Sequence, residues 1–356
     1  MNNKITAVIV DDSAFMRKSI SLMLESDPDI KVIGQARDGL EGYEMVKSLK
    51  PDIVTLDIEM PKMDGITALK KIMTDCPTSV LMVSSLTTEG ADITIKALEY
   101  GAVDFIPKEL SYINVNIIKI KEDLINKIKE IVKQKAVKDR LKRIQRLNES
   151  SLSNAIKIPN VNVLPKIGFK AIGLGISTGG PFSLQKVIPL LSKKINIPMF
   201  IVQHMPPKFT KSLAERLNGM TELEVKEAEN DEAVHNGVIY IAPGGFHMTV
   251  VKNSSGIVKI QISKEPSTTL HRPCVDVMLD SVVNAYGKYA LGVIMTGMGK
   301  DGLEGIRKLK SLGGYCIAQD EDSCVVYGMS KSVTDAGFTD VYAPLEKIPE
   351  IINRAI

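Results

Sequence analysis

The sequence predicts an α/β protein of two domains, and three observations carry that reading. The chain has 356 residues, and at roughly 100–200 residues per domain that is room for two separate cores. Short β-branched runs alternate with segments of helical spacing in both halves, as expected for parallel strands joined by crossover helices. Between the halves a basic amphipathic stretch gives way to Asn, Ser and Pro, the composition of a linker.

In the first half the strand candidates are Ala7–Val10, Ile30–Gln35, Ile53–Leu56, Val80–Val83 and Val103–Ile106. Helical patterns lie between them at Ala14–Glu25, Leu40–Leu49, Ile66–Thr74 and Ala91–Tyr100. Alternation of this kind predicts a five-stranded parallel sheet covered on both faces. From Lys119 to Arg146 apolar residues recur at three- and four-residue spacing (Ile120, Leu124, Ile128, Ile131, Val132, then Val137, Leu141, Ile144), which predicts one long amphipathic helix. That stretch holds 11 Lys/Arg against 4 Asp/Glu, so it carries +7 and leaves −4 for the rest of a chain whose net charge is +3. Asn148–Asn154, Pro159 and Pro165 read as linker. The expected division is therefore a first domain over 1–125, the basic helix and linker over 126–166, and a second domain over 167–356.

The second half offers strands at Lys170–Gly175, Met199–Gln203, Val238–Ile241, Leu291–Thr296 and Tyr315–Ala318. Helical patterns fall at Phe182–Leu191, Phe209–Leu217 and Leu303–Leu312, and a hairpin is expected around Met248–Ile262, turning at Asn253–Gly256.

Composition narrows the function. Hydrophobic residues are 44% and charged residues 24%, ordinary for a globular chain. No apolar run approaches the roughly 18 residues of a membrane span. Met1–Asp12 lacks the charged start and long apolar centre of a signal peptide. Cys76, Cys274, Cys316 and Cys324 are scattered without C-x-x-C spacing, which argues against a zinc site or disulfide framework and fits a reducing cytoplasm. With no Trp and 5% aromatics, binding of nucleic acid by base stacking is disfavoured.

Two constellations carry chemistry. In the first half Asp11 and Asp12 directly follow the first strand and Asp57 directly follows the third, and in a parallel sheet such ends converge on one crevice. Like charges so close call for a cation, and a hard divalent ion such as Mg²⁺ suits oxygen ligands. Ser84 and Lys108 add a hydroxyl and an ammonium at later strand ends, making a phosphoryl site in which one carboxylate is the acceptor. Singly, each residue has an ordinary explanation: Asp12 or Ser13 would cap the helix at Ala14, and Lys108 would be a solvated charge. Their joint placement at successive strand ends favours the site.

Val8-Ile-Val-Asp-Asp-Ser13, Leu56-Asp-Ile-Glu-Met-Pro61, Met63-Asp-Gly65 and Gly101-Ala-Val-Asp-Phe105 resemble the receiver domain of bacterial two-component response regulators. The resemblance implies a flavodoxin-like fold, phosphorylation of Asp57, and Mg²⁺ held by Asp12 and Asp57 with Asp11 assisting and the Glu59 backbone as a further ligand. It also implies phosphoryl contacts from Ser84 and Lys108, and Phe105 as the aromatic switch. The sequence departs from the family where Pro107 precedes Lys108 and Glu109 follows it.

In the second half Gly175-Ile-Ser177-Thr-Gly179 fits the G-x-S-x-G turn that lifts a serine between strand and helix. A dinucleotide loop is disfavoured because its third glycine falls one place late, and a phosphate loop lacks its lysine. A serine nucleophile needs a base and an acid to orient it. His204 ends a strand on the same rim; His247, after Ala242–Phe246, reads as a loop residue within reach of the same cleft, and spacing alone does not separate them, although a strand end is the better-fixed position. His235 reads as a surface turn residue, and His271 as a possible substrate contact. Asp301, in Gly297-Met-Gly-Lys-Asp301-Gly302, is placed to hold the imidazole, and its ordinary role would be to cap the helix at Leu303. The glycine-rich N–H groups there suit an oxyanion.

Gly175-Ile-Ser-Thr-Gly-Gly-Pro181, Val202-Gln-His-Met-Pro206, Tyr240-Ile-Ala-Pro-Gly244, His271-Arg-Pro273, Val275-Asp-Val277 and Met295-Thr-Gly-Met-Gly-Lys-Asp-Gly302 resemble the catalytic domain of the chemotaxis protein-glutamate methylesterases, the CheB family. The resemblance implies a doubly wound α/β domain with Ser177 as nucleophile, His204 as base, Asp301 as orienting acid and the Met298 N–H in the oxyanion hole. It implies no cofactor for the esterase. The partners it implies are methyl-accepting chemoreceptors as substrate and a chemotaxis histidine kinase as phosphodonor, with no nucleic acid and no membrane insertion. The rival is a receiver joined to a DNA-binding output, which the basic helix supports but for which the second half shows no helix-turn-helix pattern.

Overall fold

Each apolar run read as a strand in the first half becomes one in a computed structural model that describes residues 4–108, 121–136, 164–165 and 167–356. The chain divides into two units, Met1–Lys142 and Arg143–Ile356. The linker at 148–163, the ends of the basic segment at 119–120 and 137–146, and Glu109 lie outside the described residues.

In the first unit β1 (Ile5–Val10), β2 (Ile30–Ala36), β3 (Ile53–Asp57), β4 (Ser79–Ser84) and β5 (Asp104–Pro107) form a parallel sheet in the order β2-β1-β3-β4-β5. That is the flavodoxin-like order, with its switch point between β1 and β3. Helices α1 (Ala14–Glu25), α2 (Gly39–Leu49), α3 (Gly65–Asp75) and α4 (Thr88–Glu99) alternate with the strands. Each begins at a residue whose side chain accepts an open N–H of the first turn: Ser13, Asp38, Asp64 and Thr87. Because Ser13 is the cap of α1, the neighbouring Asp12 is released from that duty.

Residues 121–136 form α5. Its apolar stripe is buried at Leu124, Ile125, Ile128 and Ile131. Two of its cations meet acids of the same unit: Lys127 Nζ lies 2.8 Å from Asp104 Oδ2, and Lys129 Nζ lies 2.7 Å from Asp29 and 3.1 Å from Asp27. Within the described residues this segment is thus a final, packed helix of the first unit.

The second unit is built on seven parallel strands in the order β14-β13-β12-β6-β7-β9-β8. They are β6 (Ala171–Ile176), β7 (Met199–Gln203), β8 (Glu224–Glu227), β9 (Val238–Ile241), β12 (Ala290–Ile294), β13 (Tyr315–Gln319) and β14 (Val341–Ala343). The chain steps outward from β6 through β7 on one side and from β12 through β13 on the other. Parallel strands that step out in both directions from β6 and β12, joined by crossover helices, make the domain doubly wound. The helices are α6 (Gly180–Val187), α7 (Phe209–Asn218), α8 (Val275–Tyr286), α9 (Leu303–Ser311), α10 (Met329–Asp335) and α11 (Ile348–Ala355). The expected hairpin is present as antiparallel β10 (His247–Lys252) and β11 (Val258–Ser263).

Helix α8 was not evident from spacing. Val275, Val277, Val282 and Val283 give it a strand-like composition, yet it lies buried at Val275, Met278, Leu279, Val282 and Val283 in one cluster with Phe200, Tyr240, Met248 and Ile306. Burial of several large side chains, each worth about 1.5–3 kcal/mol, outweighs a helix-propensity deficit of a few tenths per residue. The helix predicted over Phe182–Leu191 is shorter than expected: α6 ends at Val187 and Ile188–Leu190 tighten into a 3₁₀ turn.

Candidate active site

Strands β12, β6 and β7 are neighbours, and the three candidate residues follow their carboxyl ends. Ser177 comes one residue after β6 and His204 one residue after β7, while Asp301 lies in the loop from β12 to α9. Backbone hydrogen bonds hold these ends together: Ser177 N donates to Thr296 O at 2.9 Å and His204 N to Ile176 O at 3.2 Å. The side chains then form a line, with Ser177 Oγ 3.2 Å from His204 Nδ1 and His204 Nε2 2.8 Å from Asp301 Oδ2.

The protonation pattern follows from Asp301. Burial alone would raise its carboxyl, but the hydrogen bond and charge of His204 and the Val275 and Asp276 N–H groups outweigh it and hold the group below the ordinary carboxylate range. An ionised carboxylate only accepts, so Nε2 carries the hydrogen and Nδ1 presents its lone pair to the Ser177 hydroxyl. The imidazole is thus set as a base toward the serine.

Asp301 does not cap the helix that follows it, contrary to its ordinary role; Gly302, at φ 101°, occupies that position. Instead its carboxylate receives Val275 N at 2.7 Å, Asp276 N at 2.9 Å and the Cys274 thiol at 3.1 Å, all at the start of α8. Open N–H groups at a helix start favour negative charge. The acid is therefore kept ionised by a helix distant in sequence. Burial, with the nearby Asp301 charge, pushes the Cys274 thiol up to about 12, so that sulfur is a donor and not a nucleophile.

The serine sits in a turn that only small residues permit. Gly179 has φ 75°, and Gly180 N donates to Ser177 O at 2.8 Å. Gln203 pins the turn from β7, its Nε2 donating to Ser177 O at 3.0 Å and to His204 O at 3.2 Å. From the other side Gly297 packs against the serine: a Cβ there would lie 2.8 Å from Ser177 Cβ and 2.4 Å from Met329 Sδ. Next to it Met298 is half-buried, and among the described residues no acceptor pairs with its N–H.

The other histidines separate clearly. His247 starts β10, buried, with Nε2 3.1 Å from Thr269 Oγ1 and 3.2 Å from Pro266 O, so its ring is paired there and not with Ser177. Burial lowers its pKa, which keeps it neutral. His235 is exposed. His271 stacks on His204, ring centroids 4.3 Å apart and planes at 22°. That stacking, and the role of α8 and of Gln203, had no local signal in the sequence.

In the first unit one carboxylate oxygen each of Asp11, Asp12 and Asp57 lie within 4.8 Å of one another. Asp11 and Asp57 are buried and Asp12 is exposed. Lys108 Nζ is 2.6 Å from Asp57 Oδ2 and 3.9 Å from Asp11 Oδ2. Burial pushes the Asp57 carboxyl up to about 6; Lys108 draws it down and the Asp11 charge adds to the rise. Asp11 is likewise raised, chiefly by burial. Its Oδ2 has no hydrogen-bond partner among the described residues. An unsatisfied buried carboxylate oxygen beside two more acids suits a hard cation. Glu59 N donates to Asp57 Oδ1 at 3.4 Å.

Ser84 is turned toward α4, donating to Gly90 O at 3.2 Å and accepting from Thr94 Oγ1 at 2.7 Å. Phe105 is buried on β5.

Two family models match the chain: CheB methylesterase over residues 172–352 and response regulator receiver domain over residues 7–116. A protein-glutamate methylesterase/protein-glutamine glutaminase of Pyrococcus horikoshii is 44% identical over 356 residues, covering 100% of this chain and 95% of that protein. One of the same name from Lawsonia intracellularis is 46% identical over 353 residues, covering 98% of each. The crystal structure of the Thermotoga maritima CheB methylesterase catalytic domain is similar at 46% identity and a TM-score of 0.51, covering 53% of this chain and 100% of that one. With its strand-end serine, imidazole and carboxylate on a doubly wound sheet preceded by a receiver domain, the chain belongs to the CheB methylesterase family.

Proposed function

We propose that the chain is a phosphorylation-regulated serine esterase that hydrolyses glutamate methyl esters on chemoreceptors to glutamate and methanol, and deamidates receptor glutamines, in chemotaxis adaptation. The observation that carries this reading is the unbroken line from Ser177 Oγ to His204 at 3.2 Å and from His204 to Asp301 at 2.8 Å.

Ser177 Oγ attacks the side-chain ester carbonyl while His204 Nδ1 takes its proton, and Asp301 stabilises the resulting imidazolium through Nε2–H. The Met298 N–H donates to the oxyanion that forms, a contact of a kind worth about 10²–10³ in rate. Collapse returns the proton from Nδ1 to the departing methoxide, releasing methanol. Water, deprotonated by Nδ1, then attacks the acyl-serine and frees glutamate and Ser177. With a glutamine side chain the leaving group is ammonia and the later step is the same. This esterase chemistry is assigned to side chains and backbone alone.

Asp57 is the phosphoryl acceptor in the first unit. Asp11, Asp12 and Asp57, with the Glu59 backbone, would hold Mg²⁺. When bound, that ion offsets the charge of the carboxylates and of the incoming phosphoryl oxygens. Lys108 pairs with the phosphoryl group in place of the Asp57 oxygen it now holds. Ser84 contacts it once its hydroxyl leaves Gly90 O, and Phe105 moves with that rearrangement. The phosphodonor is a chemotaxis histidine kinase. The partners are cytoplasmic signalling proteins and receptor segments, which agrees with four free cysteines. Among the described residues no helix is long and apolar enough to cross a membrane. A DNA-binding output has no support, since the second unit is matched by the methylesterase family.

The test is methanol release from methylated chemoreceptor. Ser177→Ala is expected to lower turnover at least about 10³-fold with the fold intact; full activity in that variant would remove the esterase reading.

A further inference from the structure

We propose that Asp276 is a positioning residue of the esterase reaction: it ties the start of α9 to the start of α8 and so keeps Asp301 in line with His204. The inference rests on the esterase reading above and adds to it a residue that touches neither substrate nor imidazole.

Asp276 is the second residue of α8, and its Oδ1 accepts the N–H of Gly305, the third residue of α9, at 2.8 Å. Asp301, two residues ahead of α9, accepts the N–H groups of Val275 and Asp276 at 2.7 and 2.9 Å. Each helix start is therefore closed by a carboxylate that comes from the other. Neither has a side-chain cap of its own, since the residues in those positions are Cys274 and Gly302 and neither makes a capping hydrogen bond. The exchange replaces two ordinary caps with one cross-linked pair.

The consequence for catalysis lies in the loop that carries Asp301. Gly299 at φ 83° and Gly302 at φ 101° flank it, so the loop has little stiffness of its own. What fixes Asp301 is its hold on α8, together with whatever anchors α9 just beyond it. The helices already approach closely, since a Cβ on Gly305 would lie 2.4 Å from Leu279 Cβ. Asp276 is the side chain that locks that approach at the end nearest the imidazole. Catalytic groups must be held to within about 0.5 Å of their productive positions. A slip of about 1 Å can cost as much as about 10²-fold in rate.

Burial pushes Asp276 up to about 6, with the Gly305 N–H drawing it down and the charge of Asp301 adding to the rise.

The test is steady-state methanol release by the full chain carrying Asp276→Ala, Asp276→Asn, Asp301→Asn and the double variant Asp276→Ala/Asp301→Asn, each with its melting temperature. Asp276→Ala should lower kcat about tenfold or more with KM within about twofold. Asp276→Asn, which still accepts from Gly305, should recover most of the loss. Because Asp276 acts through Asp301, its removal should add little once Asp301 is already Asn. Three results would each overturn the proposal: kcat of Asp276→Ala within about twofold of the parent, the same loss in both backgrounds, or a loss confined to KM. If Asp276→Ala does not fold, Asp276→Ser supplies the same cycle with a shorter acceptor. Ser177→Ala run in parallel separates the two readings. Turnover surviving Ser177→Ala removes the esterase reading itself, whereas loss there with none at Asp276 removes only this inference.

Discussion

Asp301 Oδ2 accepts the backbone N–H of Val275 at 2.7 Å, so the acid that holds the His204 imidazole also closes a helix that begins 26 residues earlier in the chain. The same oxygen receives His204 Nε2 at 2.8 Å. Orientation of the base and closure of α8 are thus one structural event, and perturbing either perturbs both.

Asp301→Asn tests this directly. An amide has one oxygen in place of two: with that oxygen kept on the Asp276 N–H, its NH2 stands where Oδ2 was, no longer accepts from Val275 N and donates to Nε2, which must then accept; the hydrogen moves to Nδ1 and the ring no longer takes the serine proton. The expected result is a fall in kcat of about 10³–10⁴-fold, with about 1 kcal/mol lost from stability as α8 gives up a charged cap. Kinetics and thermal unfolding of one preparation check both. A variant with near-normal kcat would show that the carboxylate is not needed to set the tautomer.

Gly297→Ala is expected to damage the site without removing any of its polar groups. The new methyl would stand 2.8 Å from Ser177 Cβ and 2.4 Å from Met329 Sδ, so the serine turn or the loop must shift. A loss in kcat on the order of 10-fold to 10²-fold is expected, with about 1–3 kcal/mol of strain. Unchanged kinetics and melting temperature would mean the two backbones separate freely.

Asp57→Asn should abolish the response of methanol release to a small phosphodonor with Mg²⁺. On the proposed assignment of Asp57 as acceptor, the amide lacks the nucleophilic oxygen that the transfer needs. Stimulation persisting in the variant would point to another acceptor.

Mg²⁺ should stabilise the first unit more at pH 7.5 than at pH 5. Asp57 is raised by burial to about 6 in the folded chain, so the fold binds its proton more tightly than the unfolded chain does. Stability from this group is fully present below the ordinary carboxylate range and is lost as pH rises through about 6. A cation relieves that loss only where the carboxylates are ionised. Thermal unfolding at both pH values, with and without Mg²⁺, should show the larger upward shift at pH 7.5, absent in Asp12→Asn. Equal shifts at the two pH values would contradict the assignment of the acids as ligands.

Much of this was written locally. Helix α1 begins at Ala14 and ends at Glu25, as its spacing implies, and β7 and β9 match their apolar runs residue for residue, because a buried strand or an amphipathic helix imprints its period on the chain. The strand ends that carry Asp57, Ser177 and His204 were legible for the same reason. Elements that owe their existence to a neighbour were not. Strand β8, Glu224–Glu227, has one buried residue, Val225, and pairs as a strand because β9 offers it an edge. Strand β14 is three residues long, and α8 is a helix of strand-like composition.

The chemistry divides along the same line. A serine in a glycine turn, a histidine closing a strand and an aspartate in a glycine loop are local patterns, and backbone geometry makes them recognisable in one dimension. That Nδ1 and not Nε2 faces Ser177, that His271 covers the ring, that His247 is turned away to Thr269, and that Asp301 closes α8 and not α9 are facts of long-range contact. Such contacts depend on how sheet and helices stack in three dimensions, where residues far apart in sequence compete for the same hydrogen-bond donor, and no periodicity along the chain encodes the winner.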